Sequence, residues 1–472
     1  MDAVGVPAST PDDPWRPTEQ SDLMPHLGPR LVVAGTHSGV GKTTIATGLM
    51  AAYRAAGARV TSAKVGPDFL DPGYHALATG RAPRNLDAWM SGPDAIAPLA
   101  ARAGAGAELL VIEGVMGLFD GAVDGSPSST ADVAALLDAP VVLVVDASAM
   151  SASVAALVRG FRDHDPRIRL AGAILNRVAG PRHRTLLTEA LEAVDVEVLG
   201  SVDRDDALIW RDRHLGLVPV EERPAEVSAA LERLGAQVAA GCDLARLRAV
   251  ADAAPTTSAT NLPEVDPVSS DRPVRIAVAG GPAFTFLYRD NVEALEAAGA
   301  ELVAFDPLID EALPDDVTGL VVGGGFPEVH ATRLADNEAL LSEVGHRVGA
   351  GLVTWAECGG LLWLARSLDG RAMAGALAVE ASMTDRLTLG YRHATAVGDT
   401  PVLADGDEVR GHEFHYSTAE PGGDALRLRS RFGSRLEGHG SPTLLATYLH
   451  QHLGTRPEVA ARFVAACAAS PR

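Results

Sequence analysis

The chain has 472 residues, of which 47% are hydrophobic and 21% are charged. At roughly 100–200 residues per domain, this length predicts two to four domains, each able to close its own core. A net charge of −21 argues against a general basic surface, so we expect neither nucleic acid nor a membrane as a partner. The three cysteines, Cys242, Cys358 and Cys467, are too few and scattered for a disulfide framework or a zinc cluster, which favours a reducing cytoplasm.

Residues 1–28 are rich in proline and acidic side chains and lack a signal-peptide pattern, so we expect a disordered tail. After them, apolar runs alternate with stretches of helical period, which predicts a parallel sheet with helices on both faces. The first strand is predicted at 31–36 and the first helix at 42–57. Further strands are predicted at 108–115, 140–148, 171–178 and 196–202. No apolar run reaches the ~20 residues of a membrane span.

Residues 250–272 are rich in Pro, Ser and Thr and poor in large apolar side chains. This composition cannot bury a core, so we expect a linker between a first domain at 29–249 and a second at 273–470. Alternation of strands and helices then resumes, which predicts a second doubly wound α/β domain. Its strands are expected at 275–280, 300–307, 319–325 and 351–357, and its helices near 290–298 and 334–348.

The turn after the first strand reads GTHSGVGKTT. Small residues let successive backbone N–H groups wrap phosphate oxygens, a lysine bridges the terminal phosphates, and a Ser or Thr hydroxyl binds Mg²⁺. The first glycine stands one position early for the strict pattern, so this is a variant phosphate-binding loop (P-loop). We expect the loop to bind ATP through Gly35, Thr36, His37, Ser38, Gly39, Val40, Gly41, Lys42, Thr43 and Thr44.

Charged residues follow the neighbouring strands at the sheet edge where ligands of open parallel sheets bind. Lys64 ends the second strand, Asp68 and Asp71 follow in the same loop, and Glu113 ends the third strand. Asp120 lies in a glycine-rich loop soon after Glu113. Carboxylates suit Mg²⁺, which takes oxygen ligands. We expect these residues to complete the site, the alternative being that each is an ordinary surface charge.

Cys358 stands between an apolar strand and a glycine pair that opens a helix. Such an elbow exposes a thiol at a helix N-terminus, where its pKa falls, and the Gly359 N–H can face a developing oxyanion. Gly324 and Gly325 end a neighbouring strand and are candidates for the second oxyanion donor. A small buried core residue is the alternative role for Cys358, which the glycine pair disfavours.

A thiolate nucleophile needs a base. His450 and His452 follow a strand-like segment at 443–449 and lie two residues apart, which places them on one face of a strand. We expect one of them to be the base. His412 and His415 could suggest a metal pair, but a spacing of three does not suit one strand face, so we favour a non-metal role.

Over nearly the whole chain from residue 31, the segments GTHSGVGKTT, KVGPDFLDPGYH, VIEGVMGLFDG, VGGGFPE, AECGGLLWL and RGHEFHYS resemble the cobyrinic and hydrogenobyrinic acid a,c-diamide synthases. The first domain is similar to dethiobiotin synthetase-type P-loop proteins, and the second to class I glutamine amidotransferases. The resemblance implies a ligase of cobalamin biosynthesis. ATP would phosphorylate the a and c acetate carboxylates of a corrin, and ammonia from L-glutamine would displace the phosphate.

The resemblance also implies roles for residues. Cys358 would form a glutamyl thioester, with His450 rather than His452 as the base. Class I enzymes commonly have His-Pro-Glu where this chain has His450-Gln451-His452, so the group that orients His450 stays open. Lys64 and Asn176 would help to bind the nucleotide, Asn176 at its adenine. We assign Mg²⁺ to Thr43, Asp68 and Glu113, and the corrin polycarboxylate to Asp68, Asp71, Asp120 and Ser129.

Two alternatives remain. One is a cobyric acid synthase-type amidotransferase, which modifies four other carboxylates of the corrin. The other is a switch ATPase of the chromosome-partitioning type, whose loop carries a lysine where this chain has His37. The sequence leaves open the cobalt content of the corrin, the order of the amidations, the ammonia route and the oligomeric state, a homodimer included.

Overall fold

The first half of the chain alternates strands with helices. The computed structural model describes residues 26–205, 212–213, 216–217, 220 and 224–470. The strands of this half are β1 (His26–Leu27), β2 (Arg30–Gly35), β3 (Val60–Val65), β4 (Arg84–Leu86), β5 (Leu109–Glu113), β6 (Val141–Asp146), β7 (Leu170–Val178), β8 (Val198–Asp203), β9 (Asp212–Arg213), β10 (Gly216–Leu217) and β11 (Thr257–Ser258). Its helices are α1 (Lys42–Ala55), α2 (Leu70–Thr79), α3 (Ala88–Ser91), α4 (Ile96–Gly104), α5 (Thr130–Leu136), α6 (Ser153–His164), α7 (Pro181–Glu192), α8 (Pro224–Gly241) and α9 (Leu244–Asp252).

Seven of these strands form one parallel sheet in the order β4-β3-β5-β2-β6-β7-β8. Alternate side chains of β2 point to opposite faces. Leu31 and Val33 pack in one core with α1, α8 and α9. Val32 and Ala34 pack in the other core with α4, α5, α6 and α7. Both faces of the sheet are therefore covered, which explains the continuous apolar strands and confirms the predicted doubly wound domain.

The described residues of the second half, which end at residue 470, add thirteen strands and five helices. The strands are β12 (Val274–Ala279), β13 (Ala300–Phe305), β14 (Gly319–Val322), β15 (Val353–Glu357), β16 (Ser367–Leu368), β17 (Arg371–Ala372), β18 (Glu380–Ala396), β19 (Glu408–Glu420), β20 (Leu426–Ser430), β21 (Gly433–Glu437), β22 (His439–Ser441), β23 (Leu444–Thr447) and β24 (His450–Gln451). The helices are α10 (Arg289–Ala297), α11 (Ala331–Asp336), α12 (Glu338–Gly349), α13 (Gly359–Leu364) and α14 (Pro457–Ala469).

The central sheet of this half has the order β13-β12-β14-β15-β23-β22, with only β22 antiparallel. Ala277 and Val322 face the core that contains α11, α12 and α13. Ile276 and Trp355 face the core that contains α10 and α14. The second parallel sheet covered on both faces is therefore also confirmed.

A mixed sheet beside it, built mainly from residues 380–437, is absent from the predicted elements. The long strands β18 and β19 pair antiparallel, and β24 joins them through His450 opposite His412. Strand β24 contains His450 but ends at Gln451, so His452 lies outside it. The prediction that His450 and His452 share one face of a strand is therefore wrong. Strand β23 ends at Thr447, and the chain crosses to the mixed sheet before reaching His450.

Three further boundaries differ from the expected ones. Helix α9 runs past the predicted domain end at residue 249, and β11, within the predicted linker, pairs with β1 in the predicted tail. This pairing is anchored because Leu27 and Leu262 are buried in the first-domain core. The helix expected at 334–348 is two helices, since the Asn337 side chain caps α12 by accepting the Leu340 N–H. No helix among the described residues is long and apolar enough to cross a membrane.

Candidate functional site

The P-loop connects β2, which ends at Gly35, to α1, which begins at Lys42. Gly39 and Gly41 have φ values of 83° and 93°, in the left-handed region that favours glycine. A Cβ on Gly35 would lie 2.6 Å from the Val40 Cγ2 atom. The loop therefore needs glycine at these positions, both for its turns and for its close packing. It places the N-terminus of a 14-residue helix at the end of the central strand, where an anion binds favourably.

Two side chains already bind the backbone of this loop. Lys42 Nζ donates to the His37 carbonyl at 3.3 Å, and burial, with the nearby Lys64 charge, lowers the pKa of Lys42. Asn176 Nδ2 donates to the Val40 carbonyl at 2.8 Å, and its Oδ1 accepts the Arg177 N–H. Asn176 lies on β7, so its hydrogen bond to Val40 holds the P-loop against that strand. Its predicted contact with adenine stays a prediction.

Four predicted residues meet at the carboxyl ends of β3 and β5 and the start of α1. Thr43 Oγ1 donates to Glu113 Oε1 at 2.6 Å and lies 3.2 Å from Asp71 Oδ2. Lys64 Nζ donates to the same carboxylates, at 3.0 Å for Glu113 and 2.6 Å for Asp71. This carboxylate cluster of Thr43, Lys64, Asp71 and Glu113 forms because β3 and β5 are neighbours and β5 lies beside β2.

His75, which is not among the residues predicted from the sequence, also belongs to this site. Its Nε2 atom lies 2.6 Å from Glu113 Oε2, and the side chain is fully buried. Burial favours a neutral Glu113, but the Lys64 charge and the hydrogen bond to His75 outweigh it and hold the Glu113 pKa well below its usual range. Asp71 and His75 are four residues apart on α2, a spacing that places both on one helix face and could have revealed the contact.

Three of the predicted ligand residues have local structural partners instead. Asp68 Oδ1 accepts the N–H groups of Leu70 and Asp71 at the start of α2, and its other oxygen lies 3.7 Å from Lys64 Nζ. Asp71, rather than Asp68, therefore lies with Thr43 and Glu113. Asp120 accepts the Gly117 N–H at 2.8 Å within its own loop.

Ser129 is placed as a helix cap. Its hydroxyl accepts the Asp132 N–H at 3.0 Å and donates to the Asp132 carboxylate at 2.7 Å, a capping box at the start of α5. This arrangement uses the hydrogen-bonding groups that were expected to face the substrate. The S-x-x-D pattern in the sequence is typical of such a cap, and the substrate role of Ser129 stays a prediction.

Cys358 forms the predicted elbow between β15 and α13. Its φ of 49° is unusual for a residue other than glycine, and its N–H donates to the Thr447 carbonyl at 2.7 Å. A Cβ on Gly360 would lie 2.4 Å from the Val322 carbonyl oxygen, so the turn after the cysteine can pack only with glycine. Strained backbone at a buried nucleophile candidate is characteristic of functional sites.

His450 lies beside the cysteine elbow, next to Glu357, and is almost completely buried. Its Nδ1 atom lies 3.5 Å from Glu357 Oε2. Burial disfavours a charged His450, but the interactions with Cys358 and Glu357 outweigh it and raise the pKa of His450 to about 10. The raised pKa favours the protonated form of His450 beside Cys358.

The other histidines have different surroundings. His452 points to the first domain, with Nδ1 3.2 Å from Ser91 Oγ and Nε2 3.4 Å from Asp290 Oδ2. His412 stacks on His450, with ring centroids 4.9 Å apart, and its Nε2 atom lies 2.9 Å from the Tyr288 hydroxyl. His415 binds the Ser417 carbonyl through Nδ1. Of the two candidate bases, only His450 therefore contacts Cys358.

The predicted oxyanion donors need one correction. The Gly324 N–H donates to the Phe286 carbonyl at 3.0 Å, and the Phe286 N–H donates back to Gly324. Gly324 is therefore engaged in a β-bridge, and a Cβ at this position would lie 2.6 Å from the His450 Cε1 atom. A Cβ on Gly359 would lie 3.0 Å from the Gly325 nitrogen, so the Gly325 backbone packs closely against the residue that follows Cys358.

The two sites face each other across the domain interface. Phe69, next to Asp68, packs against Tyr288 and His450 with ring centroids 4.4 and 5.1 Å apart, respectively. The same interface contains an ion pair, in which Arg84 Nη1 of the first domain donates to Asp290 of the second at 2.6 Å. The interface is therefore rich in specific contacts, and a single phenylalanine side chain bridges the loop of the P-loop domain and the base of the cysteine site.

Comparison with known proteins agrees with this architecture. Residues 31–217 match the model of the CobQ/CobB/MinD/ParA nucleotide binding domain, and residues 275–458 match that of the CobB/CobQ-like glutamine amidotransferase domain. These matched ranges correspond to the halves that contain the P-loop and the cysteine elbow, respectively.

Curated relatives match along nearly their whole length. The hydrogenobyrinate a,c-diamide synthase of Streptomyces coelicolor is 48% identical over 94% of this chain and 98% of its own. That of Thermobifida fusca is 50% identical over the same shares. The cobyrinate a,c-diamide synthase of a Synechococcus species is 40% identical over 93% of this chain and 98% of its own. The chain therefore belongs to the a,c-diamide synthase family of ATP-using, glutamine-dependent amidotransferases.

Proposed function

We propose that this chain amidates the a and c acetate carboxylates of hydrogenobyrinic or cobyrinic acid, with ATP and L-glutamine as cosubstrates. The observation that carries the proposal is the pairing of two sites across one interface: a P-loop with a carboxylate cluster, and a Cys358–His450 pair. The relatives at 48% and 50% identity are named for hydrogenobyrinate, which favours the cobalt-free corrin. We place the enzyme in the cytoplasm, with these small molecules as its partners.

In the first domain, Lys42 and the N–H groups at the start of α1 would hold the ATP phosphates. Lys42 would exchange its bond with the His37 carbonyl for phosphate oxygens, a change that needs only side-chain movement. Lys64, buried beside the cluster, supplies a second positive charge where the transferred phosphate meets the corrin carboxylate. The resulting acyl phosphate is the activated group that ammonia displaces.

We infer that Mg²⁺ binds at Thr43, Asp71 and Glu113. These are oxygen donors, and the Thr43 hydroxyl lies 2.6 and 3.2 Å from the two carboxylates. Within the described part of the chain no set of three His, Cys, Asp and Glu side chains is placed to hold a metal, so phosphate and water would supply other ligands. Bound there, Mg²⁺ would neutralise charge on the phosphates. We propose Asp71 rather than Asp68 as a ligand because the Asp71 carboxylate lies 3.2 Å from the Thr43 hydroxyl.

In the second domain, Cys358 would attack the glutamine side-chain amide while the adjacent Gly325 and Gly359 N–H groups stabilise the oxyanion. Cys358 gives its proton to His450, and His450 then delivers a proton to the departing ammonia. Ammonia is released beside Phe69, whose ring lies against His450 and whose neighbour Asp68 is 3.7 Å from Lys64. The product therefore leaves at the interface with the site that consumes it.

Mass spectrometry of the products tests the proposal. The purified chain is incubated with ATP, Mg²⁺, glutamine and either corrin acid, and each acid-to-amide conversion is counted. We expect two amidations per corrin, both dependent on ATP. Four amidations would assign the cobyric acid synthase activity instead, and nucleotide hydrolysis without any corrin product would overturn the proposal.

A further inference from the structure

The base of the cysteine site has a carboxylate partner from the nucleophile's own strand. Glu357 ends β15 directly before Cys358, and its Oε2 atom lies 3.5 Å from His450 Nδ1. We propose that Glu357 is the positioning residue for His450, holding Nδ1 toward the carboxylate and leaving Nε2 for the thiol. This assignment rests on the glutaminase half of the proposed function and is independent of the corrin.

Glu357 is itself held rigidly. Its side chain is 4% exposed, and its Oε1 atom accepts the Gln451 N–H at 3.1 Å. One carboxylate therefore contacts both the imidazole and the backbone of the segment that carries it. Because β15 pairs with β23 up to Glu357 opposite Thr447, the register fixes the position of this carboxylate relative to the turn leading to His450. Such support of a functional side chain by a buried neighbour fixes its orientation and tautomer.

The chemistry also calls for a negative group at this place. When Cys358 gives its proton to His450, a positive charge forms on a fully buried ring, which is costly without a partner. The groups packed against that ring are Cys358, the Glu357 carboxylate, the apolar Phe69 and His412, whose pKa is lowered by burial and by the His450 charge. Burial raises the pKa of Glu357, and the interaction with His450 opposes that shift, so a protonated His450 favours the carboxylate form of Glu357. Of these groups, Glu357 is therefore the one that can balance the imidazolium after the thiolate has been consumed in the thioester.

The residue two positions after the base does not serve this role. His452 points away from His450, toward Ser91 and Asp290 of the interface. Gln451 directs its backbone N–H to Glu357. The segment after His450 thus uses Glu357 as an anchor instead of supplying an orienting carboxylate of its own.

The test compares Glu357→Gln, Glu357→Asp and the matched control Glu343→Gln, which removes the charge of another carboxylate of the same domain, on α12, that accepts the Leu313 N–H. The rate of Cys358 alkylation by iodoacetamide is measured against pH by peptide mass spectrometry, together with glutamine hydrolysis. For Glu357→Gln we expect glutamine hydrolysis to fall roughly 10²-fold, the scale of acid–base catalysis, and the alkylation profile to move to higher pH. Glu357→Asp should restore part of both, and Glu343→Gln should match the wild type.

The direction follows from charge. Without the Glu357 carboxylate the imidazolium is less stable, so it stabilises the thiolate less and Cys358 ionises at higher pH. An unchanged alkylation profile and unchanged glutamine hydrolysis in Glu357→Gln would overturn the assignment. If Glu357→Gln does not fold, the profile of Glu357→Asp decides. Alkylation needs neither glutamine nor corrin, so an unreactive Cys358 in the wild type would instead count against the proposed glutaminase.

Discussion

Replacing Glu113 with glutamine tests the carboxylate cluster of the P-loop domain. Glu113 is fully buried and accepts hydrogen bonds from Thr43 at 2.6 Å and Lys64 at 3.0 Å, with His75 Nε2 at 2.6 Å from its other oxygen. Glutamine keeps the shape but removes the charge. The Lys64 ammonium then retains Asp71, 2.6 Å away, as its close carboxylate.

The size of the effect can be worked from these contacts. Charges 3.0 Å apart attract by about 5 kcal/mol at an effective dielectric constant near 20. Removing one partner of a buried pair costs roughly 3–5 kcal/mol. Because Asp71 still pairs with Lys64, we expect the lower end, about 3 kcal/mol. At roughly 2–4 °C per kcal/mol for a domain of this size, the unfolding transition of the first domain should fall by roughly 6–12 °C.

The assay combines calorimetric unfolding with a Mg²⁺ titration of ammonia-dependent synthesis at saturating ATP and corrin acid. We expect Glu113→Gln to weaken the apparent Mg²⁺ affinity and slow synthesis, while glutamine hydrolysis changes little. Glu108→Gln is the control, since Glu108 precedes the same strand but is exposed and pairs with Arg59. If Glu113→Gln leaves both the unfolding temperature and the Mg²⁺ dependence of ammonia-dependent synthesis unchanged, the reasoning is refuted.

Three further changes have distinct expected outcomes. Cys358→Ala should abolish glutamine-dependent synthesis but keep synthesis from free ammonia, measured by product mass; loss of both would contradict separable sites. Lys42→Ala should remove synthesis with either nitrogen donor, a transition-state loss of several kcal/mol, while glutamine hydrolysis persists. Burial raises the pKa of Glu437 from 4.5 to about 7, so its stabilising effect is complete below 4.5 and is lost as the pH rises through 7. Glu437→Gln should therefore flatten the fall in Tm over that range, and an unaltered slope would contradict the shift.

The sequence alone determined the features that depend on a few neighbouring residues. The P-loop could be predicted from the sequence because its glycines, lysine and threonine must stand together between a strand and a helix. The Cys358 elbow could be predicted for the same reason, since the strand, the nucleophile and the glycine pair are consecutive in the sequence. Continuous apolar strands alternating with helices also revealed both parallel sheets, because strands buried on both faces leave that pattern.

Only the tertiary structure decided which distant side chains meet. Glu113 binds His75, 38 residues away, and Asp71 rather than Asp68 reaches Thr43, since Asp68 precedes α2 and accepts the Leu70 and Asp71 N–H groups. Glu357 reaches the segment of His450 because β15 and β23 are neighbours and β24 crosses to another sheet. The apolar pattern of a strand specifies that it is buried, but it specifies neither which strand lies beside it nor at what register, and these two choices set the contacts of the side chains at its end.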